Sequence, residues 1–420
     1  MKIKIHRGAK EVGGSCVEIS SDSSTILVDL GLPLDFNREK TTESCLPDSV
    51  HSLFHHSGKS ITGVLLSHPH LDHYGLASEL PPDIPVYCGS ASWDLMKATA
   101  QFSPNNYSLP AVEHFEAWKK FKLGRFAITP YLMDHSAFDS YGFLISAAGV
   151  NIFYSGDFRG HGRKSKLLAK LPHSLPEIDV LLMEGTLIGN RSKEIQSSES
   201  DLENEFVKII EQTQGITLVT TSSQNIDRLV TIFKTAKRCN CMFVIDFYTA
   251  EILDILKQYA KLPNAAWPGI RVCYPQFLAR QFEKNGNENI LSRHRKNGIK
   301  WTWINETKEK IVMLVRPSFM ADIKRFINLD SAVWIYSMWL GYFERNNSLL
   351  KLKSFLMEQG VSYEYLHTSG HARITDLKDF VGKLSPKRII PIHSFHPEQY
   401  HEFFENVQMV EDGEEIEVSS

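Results

Sequence analysis

The chain has 420 residues, which at about 150 residues per domain implies two or three domains or one large one. It is 42% hydrophobic, 23% charged and 11% aromatic, which excludes a disordered chain, a collagen-like repeat and a coiled coil. A net charge of −3, from 46 basic and 49 acidic residues, excludes a global pull toward nucleic acid or anionic membrane and leaves only local patches for such partners.

The N-terminus, Met1-Lys2-Ile3-Lys4-Ile5-His6, carries charge from its second residue, so no signal peptide is expected. Short β-rich runs follow at Met1–His6, Cys16–Ser20 and Thr25–Leu30, with the turn-forming pair Gly13-Gly14 between the first two. His51, His55 and His56 fall in a Ser/Gly-rich loop and read as surface residues. Gly63–Leu66 is a buried-strand run, and Ala127–Thr129, Gly142–Ile145, Asn151–Tyr154 and Val180–Met183 are four more. Helical periodicity predicts helices over Ser92–Thr99 and His114–Lys120. Near residue 190 the character changes, and the polar stretch Asn190–Asp201 reads as a boundary.

Beyond it, helix and strand patterns alternate: a helix over Leu202–Thr213, a strand over Thr217–Thr221, a helix over Ile226–Arg238, a strand over Met242–Asp246 and a helix over Ala250–Tyr259. That alternation predicts a parallel sheet with flanking helices. Ser292–Trp303 mixes Arg293, Arg295, Lys296 and Lys300 with Trp301 and Trp303, and reads as an exposed loop leading into an edge strand, with the charge and ring faces that hold single strands. Ile311–Val315 and Val333–Tyr336 are strands, and Leu349–Gln359 is a helix stopped by Gly360. The last section carries a helix over Thr375–Leu384 and a strand over Arg388–Ile392. No run approaches 18 apolar residues, so no membrane span is expected. The six cysteines are scattered apart from the C-x-C pair Cys239 and Cys241, and reduced thiols in a cytoplasmic protein are expected.

The decisive motif is Ser67-His68-Pro69-His70-Leu71-Asp72-His73. Three imidazoles and a carboxylate crowd into six residues directly after an apolar strand, where their side chains can converge. Neutral imidazole and carboxylate are ligands for first-row metals, Zn²⁺ foremost, with Mn²⁺ or Fe as alternatives. The set is larger than one tetrahedral ion with an open position can use, which argues for two ions.

This H-x-H-x-D-H pattern resembles the metallo-β-lactamase superfamily. The resemblance extends to Asp29, at a strand end, as an acid behind the ligands, to His135 in Met133-Asp134-His135-Ser136, and to Asp157 in Ser155-Gly156-Asp157-Phe158 as the carboxylate shared by both metals. The surplus length between about residues 190 and 365 resembles the β-CASP branch, nucleases with a second α/β domain inserted into the first. Its three extra motifs find matches in Glu184 of Met183-Glu184-Gly185-Thr186, His371 of Ser369-Gly370-His371-Ala372 and His393 of Ile390-Pro391-Ile392-His393. A histidine at the last position resembles the RNA-cleaving members, and the chain is most similar to the ribonuclease J group.

The resemblance implies an α/β fold: a metallo-β-lactamase αββα sandwich over 1–190 and 365–420, with an inserted α/β (β-CASP) domain over 191–364. It implies one ion on His68, His70, His135 and Asp157 and another on Asp72, His73, Asp157 and His393, with Asp29 steadying the cluster. His371 would pass a proton or hold a phosphate oxygen, oriented by Glu184, and Asp72 completes the catalytic set. The implied activity is hydrolysis of phosphodiester bonds in single-stranded RNA, endo or 5′-exo, in the cleft between the domains of a possible homodimer. A small-molecule ester, thioester or cyclic nucleotide is the alternative substrate. Asn225 and Arg228 match part of a pocket for the RNA 5′ end, although Asp227 stands where the group carries His. Arg159 and Arg163, in the basic run after Asp157, are candidate phosphate contacts.

Overall fold

The computed structural model describes residues 1–36, 40–55, 60–102, 110–189 and 197–419. The chain forms two compact units, Met1–Glu194 with Gly370–Ser420, and Ile195–Ser369.

In the first unit, apolar residues of alternating or continuous burial build strands β1 (Lys2–Arg7), β2 (Cys16–Ser21), β3 (Ser24–Val28), β4 (Ile61–Leu65), β5 (Val86–Cys88) and β6 (Val112–His114). A second set follows: β7 (Phe121–Leu123), β8 (Phe126–Leu132), β9 (Tyr141–Ala147), β10 (Val150–Tyr154) and β11 (Val180–Glu184). The chain then enters the second unit, with β12 (Thr217–Thr220), β13 (Met242–Asp246), β14 (Ile270–Cys273), β15 (Ile311–Leu314), β16 (Val333–Tyr336) and β17 (Ser362–Tyr365). It returns to the first unit for β18 (Ile389–Ile392) and β19 (Glu415–Glu417).

The first unit holds two sheets, of order β19-β1-β2-β3-β4-β5-β6 and β18-β11-β10-β9-β8-β7. Ile3, Ile5, Ile19 and Val28 of the first sheet share one buried cluster with Phe126, Phe143, Ile152 and Ile390 of the second, so the sheets pack face to face. The outer face of the first sheet is covered through Val50, Leu53 and Met96 of helices. The outer face of the second is covered through Leu168, Leu377 and Phe380. This is the four-layer αββα arrangement, in which each sheet buries both faces.

The second unit is one parallel sheet of order β14-β13-β15-β12-β16-β17. Its inner strands β12, β15 and β16 are buried at every residue, the signature of strands covered on both faces. Helix starts are set by side-chain caps: Asn225 accepts from the Arg228 backbone N–H and Asp246 from that of Thr249. Among the described residues no helix is long and apolar enough to cross a membrane.

Two expected elements differ. His114–Lys120 is not a helix: β6 ends at His114, and Trp118 takes a left-handed φ of +67°. Its N–H bonds the carbonyl of Pro130, 2.7 Å away in β8, which ties the segment to the sheet as a turn. Ser292–Trp303 is not a loop before a strand. It contributes to short helices over Glu288–His294 and Trp301–Glu306, held because His294 is buried against Glu251 (3.0 Å) and Trp301 packs in the core. His51 and His55 lie exposed on the helix Asp48–His55, and His56 falls outside the described residues. All six cysteines are free thiols.

Candidate active site

The site assembles from the ends of strands in the first unit. Asp29 directly follows β3, His68 to His73 follow β4, His135 follows β8, Asp157 follows β10, Glu184 ends β11 and His393 follows β18. His371 lies just before the helix Ile374–Leu384. Two of these residues, Asp29 (φ +61°) and His393 (φ +51°), hold the left-handed backbone that non-glycine residues rarely adopt. Such local strain collects at functional positions. Gly156 makes the turn into Asp157: at its φ of +56° a Cβ would meet the Tyr141 carbonyl oxygen at 2.5 Å.

Asp157 stands at the centre. Its Oδ2 lies 3.7 Å from His68 Nε2, 3.2 Å from His73 Nε2 and 3.6 Å from His371 Nδ1. Its Oδ1 lies 3.6 Å from His393 Nδ1. On one side His68 Nε2 and His135 Nε2 converge on His70 Nδ1, at 3.2 and 3.3 Å. On the other, His393 Nε2 lies 3.5 Å from Asp72 Oδ2. Donor atoms within 4.8 Å of one another form the sets His68/His70/His135, His68/His73/Asp157, Asp72/His73/His393 and Asp157/His371/His393 among the described residues.

Outer partners fix which ring nitrogen faces inward. Asp29 is fully buried and accepts from the Ser67 N–H (2.7 Å), the Ser67 hydroxyl (2.7 Å), the Tyr154 hydroxyl (2.7 Å) and His73 Nδ1 (2.8 Å). His135 Nδ1 donates to the Gly370 carbonyl at 2.6 Å, and His68 Nδ1 meets the Ser67 hydroxyl at 3.0 Å. Each leaves Nε2 for the site, the usual way a protein orients a histidine ligand. Thr186 Oγ1 bonds His393 Nδ1 at 2.9 Å. His73 Nε2 and His393 Nε2 are buried with no hydrogen-bond partner. Glu184 accepts from the backbone N–H of Ala372 (3.0 Å) and of Thr186 (3.0 Å), and its Oε1 is 3.5 Å from His371 Nδ1. It therefore fixes the backbone beside His371 as well as facing its ring.

Charge divides the cluster. Burial and the imidazoles of His73, His70 and His135 push His68 far below the ordinary histidine value. Burial does the same to His135, and lowers His70 to about 4. These three rings are neutral at pH 7. For His73, burial is outweighed by the carboxylates of Asp157 and Asp29, which raise it. Burial opposes Asp157 and Asp72 too, but His393 and His73 hold both carboxyls well below the usual range. His371 is raised against its burial by Glu184 and Asp157. Neutral imidazoles, ionised carboxylates and unsatisfied inward nitrogens are the donor set a divalent cation needs.

The sequence matches the beta-lactamase superfamily domain over residues 45–221 and the Zn-dependent metallo-hydrolase RNA specificity domain over residues 362–401. Together these two matches and the inserted unit support a metallo-β-lactamase protein of the β-CASP, ribonuclease J-like kind. Ribonuclease J of Helicobacter pylori (strain ATCC 700392 / 26695) is 23% identical over all of this chain and 61% of its own length. Ribonuclease J of Mycoplasma genitalium is 24% identical over 93% of this chain and 67% of its own. The transcription termination factor FttA of Methanothermobacter thermautotrophicus is 24% identical over 70% of this chain and 48% of its own. The chain thus spans about three-fifths of the Helicobacter relative. A crystal structure of a protein of unknown function from Enterococcus faecalis V583 shares the fold, with a TM-score of 0.79, 19% identity and 99% of both chains covered. The matched metallo-hydrolase family implies divalent-metal binding, and the structure holds His/Asp clusters of the kind that binding needs.

The expected phosphate contacts fare differently. Arg159 is fully buried, with Nε 3.7 Å from Asp134 Oδ1 and its backbone N–H on the Asp134 carbonyl at 2.6 Å. Its neighbour His161 is buried against Asp376, so the start of this run is packed inward, while Lys164 is half-buried and Lys166 exposed. Arg163 is half-buried. In the second unit Arg228 is fully buried, its guanidinium on both Glu199 oxygens (3.1 and 3.2 Å) and the Ser337 carbonyl (3.1 Å). Asn225 caps the helix that carries it. Both are thereby committed to the fold of that unit. Ser67, Tyr154 and Thr186 are the positioning residues that sequence reasoning left without a role. Ser67 beside the motif and Thr186 two residues after Glu184 were visible, but nothing marked Tyr154, which reaches Asp29 from β10.

Proposed function

We propose that this protein is a dinuclear metal-dependent phosphodiesterase that cleaves single-stranded RNA. The observation that carries this is the one carboxylate, Asp157, facing His68, His73, His371 and His393 at 3.2–3.7 Å, so that two ligand groups share it. His68, His70, His135 and Asp157 would hold one ion, and Asp72, His73, Asp157 and His393 the other. Zn²⁺ suits the imidazole-rich donors best, with Mn²⁺ the runner-up. When bound, the metals supply Lewis-acid stabilisation of phosphate charge and lower the pKa of water toward neutrality.

The chain's own residues do the rest. Asp29 locks His73 and, through Ser67, the strand end that carries His68. The carboxylates of Glu184 and Asp157 raise His371 and so favour its protonated form, and the ring is partly exposed. It can therefore donate a proton to the departing oxygen or neutralise a phosphate oxygen. Glu184 keeps that ring in place through Ala372. The RNA assignment is supported by the match to an RNA specificity domain over residues 362–401, which spans both His371 and His393. The test is incubation of metal-loaded protein with 5′- and 3′-labelled single-stranded RNA and matching DNA. Cleavage of RNA alone is expected, and equal or exclusive cleavage of DNA would overturn the substrate assignment.

A further inference from the structure

The second unit carries a charge anomaly. Residues 271–330 contain 12 Arg and Lys against 6 Asp and Glu, a net +6 in a chain whose total is −3. The structure gathers part of this charge on one face. The helix Gln276–Lys284 leaves the carboxyl end of β14, and Phe277, Arg280 and Lys284 lie three and four residues apart along it, on one side. All three are exposed, and Phe277, at 64%, is the most exposed large apolar side chain among the described residues. The opposite side of the same helix buries Phe282. A second helix, Met320–Phe326, leaves the end of β15 and is tied to the first by Asp322, whose Oδ2 accepts from the Gln276 N–H at 2.9 Å. Through that bond the two helices sit side by side, and each carries an exposed arginine, Arg280 on one and Arg325 on the other. Arg295, also exposed, lies 3.9 Å from Glu283 on the first helix.

We propose that this face, Phe277 with Arg280, Lys284, Arg295 and Arg325, is a binding surface for single-stranded RNA, resting on the reading of the protein as a ribonuclease. The charge sets the partner's sign. Four cations against the buried Asp322 and the exposed Glu283 leave an excess of two positive charges that attracts a polyanion, and steering by such a patch survives a net-negative chain because screening acts over about 8–10 Å. The aromatic ring sets its class. An exposed Phe amid cations offers an unpaired base a stacking face while the cations take flanking phosphates, the arrangement that holds single strands without reading sequence. Phe277 to Lys284 spans about 10 Å of helix, room for a short run of backbone. An acidic polypeptide would use the same charges but has no flat base for Phe277.

The experiment uses the metal-loaded full chain and a fluorescent 30-nucleotide phosphorothioate RNA, which keeps its charge and resists hydrolysis. Anisotropy is read across a salt series for the wild type, for Arg280→Gln/Lys284→Gln/Arg325→Gln and for Phe277→Ala. With about 0.7 counterions released per phosphate contact on a single strand, the triple variant should lose about 2 from the slope of log affinity against log salt. Its affinity should fall at least tenfold, Phe277→Ala should weaken binding severalfold, and Phe277→Trp should restore it. Hydrolysis of bis-p-nitrophenyl phosphate should be unchanged in all variants, showing that the fold and metal site are intact. An unchanged slope in the triple variant, or polyglutamate competing as well as RNA, overturns the proposal. If the wild type binds this RNA in this way yet leaves the unmodified phosphodiester RNA of the same sequence uncut, the ribonuclease reading fails while the surface stands.

Discussion

The Asp29→Asn substitution isolates the support behind the metal ligands. Asn tolerates the left-handed φ of +61° at this position, so the backbone is not the variable. What changes is the hydrogen bonding. Asp29 Oδ1 accepts one donor and Oδ2 accepts three, all at 2.7–2.8 Å in a fully buried site. An amide has one acceptor oxygen. If it replaces Oδ2, its NH₂ opposes only the Ser67 N–H, the least harmful orientation. One buried donor is then stranded, at about 1–3 kcal/mol, and three charge-assisted bonds become neutral ones. A loss of about 3 kcal/mol in stability follows, together with a metal affinity lowered by about 10–100-fold because His73 and His68 lose their anchor. Urea unfolding of the metal-free protein gives the first number, and competition with a chelator gives the second. Wild-type values for both in Asp29→Asn would refute the reasoning, since they would mean that neither ring depends on this carboxylate.

Replacing His371 with Ala should lower turnover by about 10²–10⁴-fold. Metal content by mass spectrometry should stay at the wild-type value, and loss of metal would make His371 a ligand. Removing Arg228 (Arg228→Ala) leaves Glu199, 1% exposed, as an unpaired buried charge, so urea unfolding should show a loss of about 3–5 kcal/mol. Arg228→Lys should recover it only in part, because an ammonium restores the charge but lacks the planar fork that meets both Glu199 oxygens and the Ser337 carbonyl together. A milder loss for the Ala variant would return Arg228 to a binding role. In the metal-free protein His70 is lowered to about 4 from the ordinary value near 6.5. The unfolded chain then binds the extra proton first, so this contribution to stability is present above about pH 6.5 and lost as pH falls toward 4. The metal-stripped wild type should therefore lose more stability over that window than His70→Asn, and identical slopes in thermal melts at pH 6.5, 5.5 and 4.5 would contradict it.

What the sequence made legible follows from how local each signal is. The strands β15 and β16 are continuous apolar runs, β13 is one up to Asp246, β12 is an apolar pair between threonines, and the helix Ile226–Arg238 carries an unbroken 3.6 period with a capping Asn225, so each is visible in its own window. The His68–His73 cluster is legible for the same reason. The segment His114–Lys120 misled because its period is helical while its conformation is set by the Trp118 N–H reaching Pro130, a contact outside the window. The strand β14 is interrupted by Arg271, and β17 is a half-exposed sheet edge with a polar alternation, so neither announces itself. Burial of charge was the main blind spot. Arg159 and Arg228 look like free cations until Asp134 and Glu199 are seen beside them, and no spacing rule pairs residues 25 and 29 positions apart. The basic side of Ser292–Trp303 was readable, but its extension to Phe277 and Arg325 needed Asp322 to join two helices.

The central claim is that two metal sites sharing Asp157 cleave RNA. It is tested most directly by stripping the protein with chelator, adding Zn²⁺ or Mn²⁺ in defined equivalents, and following cleavage of end-labelled single-stranded RNA. Cleavage that appears with metal and reaches its plateau only at about two equivalents per chain is the predicted result. A plateau at one equivalent, or no cleavage with both sites filled, would contradict it.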